Sequence, residues 1–329
     1  MAGDGDNGQM LALARACLLR WPLPESATVR LVNVSENATF RVEAPAAGLG
    51  WALRVHRPGY HALGAIRSEL AWSQALRGGG IIATPAAIAG RDGGYVQTVP
   101  GPVRGEHRHV TLYDWEAGTE PLEMDLAAFA AIGAAAARLH NHARDWRPPN
   151  GFERPRWDFD TTLGATPRWG RWRDGIGITD EIAAVFERTR GHIRHRLQRF
   201  GSGPDRFGLI HGDMRPANVL LHDGKLTVLD FDDCGFSWFL YDAAAAVSFF
   251  EHKPAAASCL AAWLEGYRGV RQLTAADEAE LPTFVMLRRL LLIAWLGSRR
   301  GTGLAHALGA GYTQAAVPMC QDYLRRMPV

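Results

Sequence analysis

Cysteine is scarce in this 329-residue chain and never paired. Cys17, Cys234, Cys259 and Cys320 lie far apart and form no C-x-x-C unit. That argues against a structural zinc site or a disulfide scaffold and for free thiols in a reducing cytoplasm. An excess of one charge is also missing. Lys and Arg number 36 against 34 Asp and Glu, a net charge of +2, so no nucleic-acid or membrane partner is called for. No long apolar run is present: Leu290 to Leu296 is too short to span a bilayer and follows Arg288 and Arg289. The start has Asp4 and Asp6 in place of a basic n-region, and Arg15 interrupts the apolar run Met10 to Leu19, so no signal peptide is expected. Repeats and low-complexity segments are lacking. What is there, 47% hydrophobic and 21% charged residues, suits a globular protein of two domains or lobes.

Residues 1 to 9 are small and polar and are expected to be unstructured, with a short helix over Leu11 to Leu19. VRLVNVSENATFRVE (29–43) alternates about Ser35-Glu36-Asn37 and reads as a hairpin. WALRVHR (51–57) reads as a third strand, with Ala52, Arg54 and His56 on one face. A helix over Ala65 to Arg77 carries Glu69 and stops at Gly78-Gly79-Gly80. Two short strands are expected in Ile81 to Val99, and VTLYDW after a Gly/Pro/basic insertion is the last. From Tyr113 to Gly118 the chain crosses over. Helices then follow at Leu126–His142, Thr179–Phe200, Ala243–Phe250, Ala255–Val270, Ala275–Arg299 and Tyr312–Arg326. The expected division is an extension (1–28), a sheet-based N-lobe (29–112), a hinge (113–118) and a helical C-lobe (119–329).

The most informative stretch is GLIHGDMRPANVLLHDGKLTVLDFDD (208–233). His211, Asp213 and Asn218 form H-x-D-x-x-x-x-N. VLLHDGKLTVLDF reads as a hairpin turning at Asp223-Gly224, which brings Asn218 beside Asp230 at its open end. Two carboxylates and a carboxamide converge. Phosphoryl transfer needs such a set: Asp213 to position an acceptor hydroxyl and take its proton, Asn218 and Asp230 to hold Mg²⁺ against nucleotide phosphates. As turn residues alone, HGD and DFDD would serve only the backbone. HGDMRPANVL followed by VLDFDD closely resembles the catalytic loop and metal segment of the aminoglycoside phosphotransferase family. That family includes choline kinases, type II homoserine kinases and stress-response kinases. The resemblance implies an α+β, two-lobed protein-kinase-like fold: an N-lobe antiparallel sheet plus one helix, and a mostly helical C-lobe. It also implies Asp213 as base and Asn218 and Asp230 as metal ligands.

In the N-lobe, the turn at Ser35 and Asn37 stands where a kinase carries its Gly-rich loop, yet has no glycine. Its hydroxyl, amide and backbone N–H groups could still meet phosphate. WALR has the shape of V-A-I-K, so Ala52 would lie against adenine, with Tyr113 a further nucleotide contact. Arg54 would reach phosphates, paired with Glu69. Arginine at the lysine position is a departure that alters hydration and bulk. His211 reads as an orienting residue in the catalytic set, Asp232 and Asp233 as further metal contacts, and Asp242 as a support for the loop. His140 and His142 end a helix, where the dipole favours a cation. The Trp/Arg stretch 146–174 reads as packing over the C-lobe, or as an acceptor wall. Only twelve residues separate Asp230 from Asp242, which leaves little room for a peptide-docking segment. The expected partners are ATP or GTP with Mg²⁺ and a small hydroxylated molecule, the enzyme being a monomer or homodimer. Two other readings stay open: a stress-response Ser/Thr protein kinase of the same fold, and a nucleotide-binding pseudokinase.

Overall fold

The computed structural model describes residues 4–34, 37–122 and 124–328. Helix α1 (Asp4–Cys17) starts inside the stretch expected to be unstructured. It lies against a five-stranded antiparallel sheet. The strands are β1 (Thr28–Val34), β2 (Ala38–Ala44), β3 (Leu49–Val55), β4 (Val96–Pro100) and β5 (His107–Asp114), in the order β1-β2-β3-β5-β4. Alternation sorts the faces. Phe40 and Val42 of β2 and Leu53 and Val55 of β3 are buried with Trp21 and Leu112, each contributing about 2 kcal/mol. Ala52 and Arg54 take the opposite face of the central strand. Only one of the two strands expected in 81–99 forms. The segment before β4 makes isolated bridges, Ala83 to Thr227 and Ala87 to Tyr113. Its small residues offer no alternating apolar face, and Pro85 has no amide to donate.

Helix α2 (Leu63–Gly78) holds Glu69 and packs Trp72 and Leu76 into a core shared with the C-lobe. The C-lobe contains α3 (Leu126–Asp145), α4 (Phe159–Thr162) and α5 (Asp180–Phe200), then four short strands. The expected hairpin is present as β7 (Val219–His222) and β8 (Lys225–Val228). It is flanked by an unforeseen antiparallel pair, β6 (Phe207–Ile210) with β9 (Gly235–Trp238), too short for periodicity to reveal. Helices α6 (Tyr241–Ala246), α7 (Ala255–Arg268), α8 (Ala275–Glu278), α9 (Leu281–Ser298) and α10 (Gly303–Arg326) complete the chain. Helix α10 begins well before the expected Tyr312 and kinks at Gly309.

Two packing features position the site. A Cβ on Gly133 of α3 would lie 2.0 Å from the Trp263 carbonyl, and one on Gly266 of α7 1.8 Å from that of Ala130. The two helices therefore touch backbone to backbone. The stretch Ala275–Ser298 is long and apolar enough by composition to cross a membrane, but 72% of its apolar window is buried within the protein. Most of it is α9, the central core helix of the C-lobe, whose arginines Arg288 and Arg289 face partners inside, and the single helix expected over 275–299 is divided into α8 and α9.

Candidate active site

The catalytic loop hangs from one buried carboxylate. Asp242, the second residue of α6, accepts the Gly212 N–H at 2.8 Å and the His211 N–H at 3.1 Å. Loop support by Asp242 is what the sequence suggested, though it acts from inside the helix rather than as its N-cap. Its third partner is His140 Nε2, 3.0 Å away. Burial pushes the Asp242 carboxyl up, but its partners together, His140 first and then His211 and the Gly212 N–H, hold it below its ordinary value. Burial pushes the His140 imidazole down, to the neutral form. An ionised carboxylate can only accept, so Nε2 carries the hydrogen and Nδ1 accepts from Tyr267 Oη at 3.0 Å. The expectation of a helix-end cation at His140 is thus corrected: it is a wholly buried neutral link between α3, α6 and α7. Gly212 has φ +83°, and a Cβ there would meet the Asp233 carbonyl at 2.6 Å. The loop requires glycine at that point.

Asp213 emerges from this support between two arginines and an amide. Arg288 of α9, 3% exposed, donates Nη2 to Asp213 Oδ1, Nη1 to Tyr241 Oη and the Gly212 carbonyl, and Nε to Ser248 Oγ. Arg215 Nε donates to Asp213 Oδ2 at 3.2 Å. Asn218 Nδ2 donates to the same oxygen and to the Asp213 carbonyl, both at 2.8 Å. The Asp213 N–H donates to His211 Nδ1 at 3.3 Å, so His211 Nε2–H is left to donate to the Leu229 carbonyl at 2.9 Å. His211 therefore ties the loop to Leu229, the residue after β8, and does not face outward as a base.

A backbone bond from Leu229 N to the Asn218 carbonyl, 2.8 Å, closes the open end of the hairpin. It sets Asn218 beside Asp230. Asp230 has φ +57°, a left-handed conformation that costs a non-glycine residue about 1–2 kcal/mol. Arg54 spans Asp230 Oδ1 and Glu69 Oε1, at 2.9 Å each. Glu69 is 3% exposed, whereas Asp230 is 42% exposed and opens onto the cleft. Burial raises the Glu69 carboxyl, with Arg54 opposing. For Asp230, burial would raise it too, but Arg54, with His211, the Asp232 N–H and Arg215 behind it, holds it low. No trio of His, Cys, Asp and Glu among the described residues forms a closed metal cage. An amide oxygen with a carboxylate still fits Mg²⁺, which keeps waters and phosphate oxygens as its other ligands. Asn218 suits this because its nitrogen is bound to Asp213, which turns its oxygen away from that carboxylate.

Other expected residues are placed differently. Ser35 lies outside the described residues. Asn37 is buried and its Oδ1 accepts the Arg57 N–H at 3.1 Å, so the side chain holds backbone. Asp232 turns inward, 3.9 Å from His56 Nδ1 and 3.8 Å from His61 Nε2, and is 7% exposed, away from the edge where Asn218 and Asp230 meet. Ala52 pairs with Tyr113 across β3 and β5, and the Tyr113 ring lies 5.6 Å from the Arg54 guanidinium. In the Trp/Arg stretch, Trp157, Trp169 and Trp172 are buried core residues. Arg154 was not foreseen. Its buried guanidinium donates to the carbonyls of Ala65, Phe231, Asp232 and Cys234, lacing α2 to the DFDD loop.

The chain is similar in sequence and fold to known enzymes. The pattern of the Phosphotransferase enzyme family fits residues 28–279. A solved microcompartment-associated aminopropanol kinase is 41% identical, with 96% of this chain and 98% of that chain covered and a TM-score of 0.88. The amicoumacin kinase of Bacillus subtilis is 24% identical, over 69% of this chain and 68% of its own length. A homoserine kinase of Granulibacter bethesdensis is 27% identical over 67% of each.

Proposed function

The chain belongs to the phosphotransferase enzyme family and transfers a phosphoryl group to a hydroxyl of a small molecule, and within that activity we propose that the acceptor is a short amino alcohol such as 1-amino-2-propanol. The likeness to the aminopropanol kinase carries this reading, because it covers 96% of the chain at 41% identity, against 24% for the amicoumacin kinase and 27% for the homoserine kinase. ATP is the donor. Asp213 accepts the hydroxyl proton as the new O–P bond forms and the β,γ-bridging P–O bond breaks, leaving ADP. Arg288, Arg215 and Asn218 aim that carboxylate, and His211 fixes the backbone that bears it. Asn218 and Asp230 would hold Mg²⁺, which neutralises phosphate charge when bound. Arg54, steadied by Glu69, turns its fork to the phosphates, and Ala52 and Tyr113 border the base. Four buried free thiols accord with a cytoplasmic enzyme.

The test is ADP release with Mg²⁺ across 1-amino-2-propanol, ethanolamine, choline, homoserine, propane-1,2-diol and casein. The highest kcat/KM is expected on 1-amino-2-propanol. Turnover of homoserine or casein with none on any amino alcohol would sink the proposal.

A further inference from the structure

We infer that Asp233, held by Tyr60 and flanked by Trp169, is the residue that recognises the amino group of the acceptor. This rests on the amino-alcohol reading above and says how the enzyme achieves it.

The side chains around Asp213 form a closed circuit. Asp213 meets Arg288. The Arg288 guanidinium lies 5.3 Å from the centre of the Trp169 ring. Trp169 Nε1–H donates to Tyr60 Oη at 3.0 Å, and Tyr60 Oη–H donates to Asp233 Oδ1 at 2.7 Å. Asp233 returns to the catalytic loop by packing on Gly212, where a Cβ would lie 3.6 Å from its own Cβ. The Trp157 indole fixes the Asp233 carbonyl at 2.8 Å, so the residue cannot swing away.

Charge around the circuit is uneven. Both arginines, Arg288 and Arg215, direct hydrogen bonds to Asp213. Asp233 is given a neutral phenol. An ammonium group would supply the counter-charge that a phenol does not. The closeness of Asp233 to Gly212 sets the length. The ammonium and the reacting hydroxyl must be separated by few atoms, which selects vicinal amino alcohols over longer amines.

The experiment uses a matched pair, 1-amino-2-propanol and propane-1,2-diol, which differ in the amino group alone. Wild-type enzyme should favour the amine in kcat/KM on the order of 100-fold, because the diol offers Asp233 a neutral hydroxyl in place of an ammonium. Asp233→Asn should collapse that ratio to near unity, whereas Asp233→Glu, which keeps the charge, should retain a clear preference. Tyr60→Phe should lower the ratio several-fold. A variant that merely folds poorly lowers both rates and leaves the ratio intact, so the ratio isolates recognition. Wild-type turnover of the amine with an undiminished ratio in Asp233→Asn overturns the assignment and leaves the amino-alcohol reading standing. Absence of wild-type turnover on every amino alcohol overturns both.

Discussion

Asp230 and Asp233 belong to one loop, yet one faces Arg54 and the other faces Tyr60. Where we place the nucleotide, a single guanidinium satisfies Glu69 and Asp230 together, and Asp230 stays ionised. Where we place the acceptor, the arginines go to Asp213, and Asp233 holds its proton to an unusually high pH. On that reading the same residue type would serve two ends: a carboxylate with a charged partner would trade it, and one held only by a phenol would take a cation. Burying a charge without a counter-charge is costly, and binding would relieve that cost.

Three substitutions break or sharpen the contrast. Asp213→Ala removes the group that both sides converge on, and kcat should fall on the order of 10³-fold with the KM for ATP nearly unchanged. Wild-type turnover in that variant would discard the base assignment. Arg54→Met strips the nucleotide side of its compensation. The KM for ATP should rise by roughly tenfold or more while the preference for amine over diol persists. Loss of that preference would mean the two sides are not separate.

The smallest effect is on stability. The Asp233 carboxyl titrates at about 7 in the fold but at roughly 3.9 in an unfolded chain. Between those values the folded protein holds the extra proton, so stability falls as pH rises and the loss is complete above about 7. Asp233→Asn escapes this. Its melting temperature relative to wild type should therefore be higher at pH 8 than at pH 5, and a difference independent of pH would count against the unpaired state of Asp233.

The sequence displayed those parts of the site that depend on short spacings. His211, Asp213, Asn218 and Asp230 surround a hairpin whose turn signal is local, and Arg54 and Glu69 follow from a strand and the helix after it. The two-lobed fold was implied by the family resemblance that this stretch carries. What escaped was long-range. Arg288 reaches Asp213 across 75 positions, His140 reaches Asp242 across 102, and Tyr60 reaches Asp233 across 173. No periodicity encodes such pairings. One signal was available: Arg288 and Arg289 break an otherwise apolar run, and a charge in a core helix must have a buried partner. His140 was misjudged because its local setting, a helix end, says nothing of the α6 carboxylate that packs on it.

The Arg54–Asp230 pair also bears on the order in which ligands are taken up. In the free enzyme Asp230 Oδ1 is engaged by the guanidinium. In the proposed function, a divalent ion on that oxygen would displace Arg54, and nucleotide phosphates would give the guanidinium a new anion. Each ligand would then raise the affinity for the other, and by thermodynamic reciprocity the two factors would be equal. On that reading the arginine at the lysine position would couple metal to nucleotide.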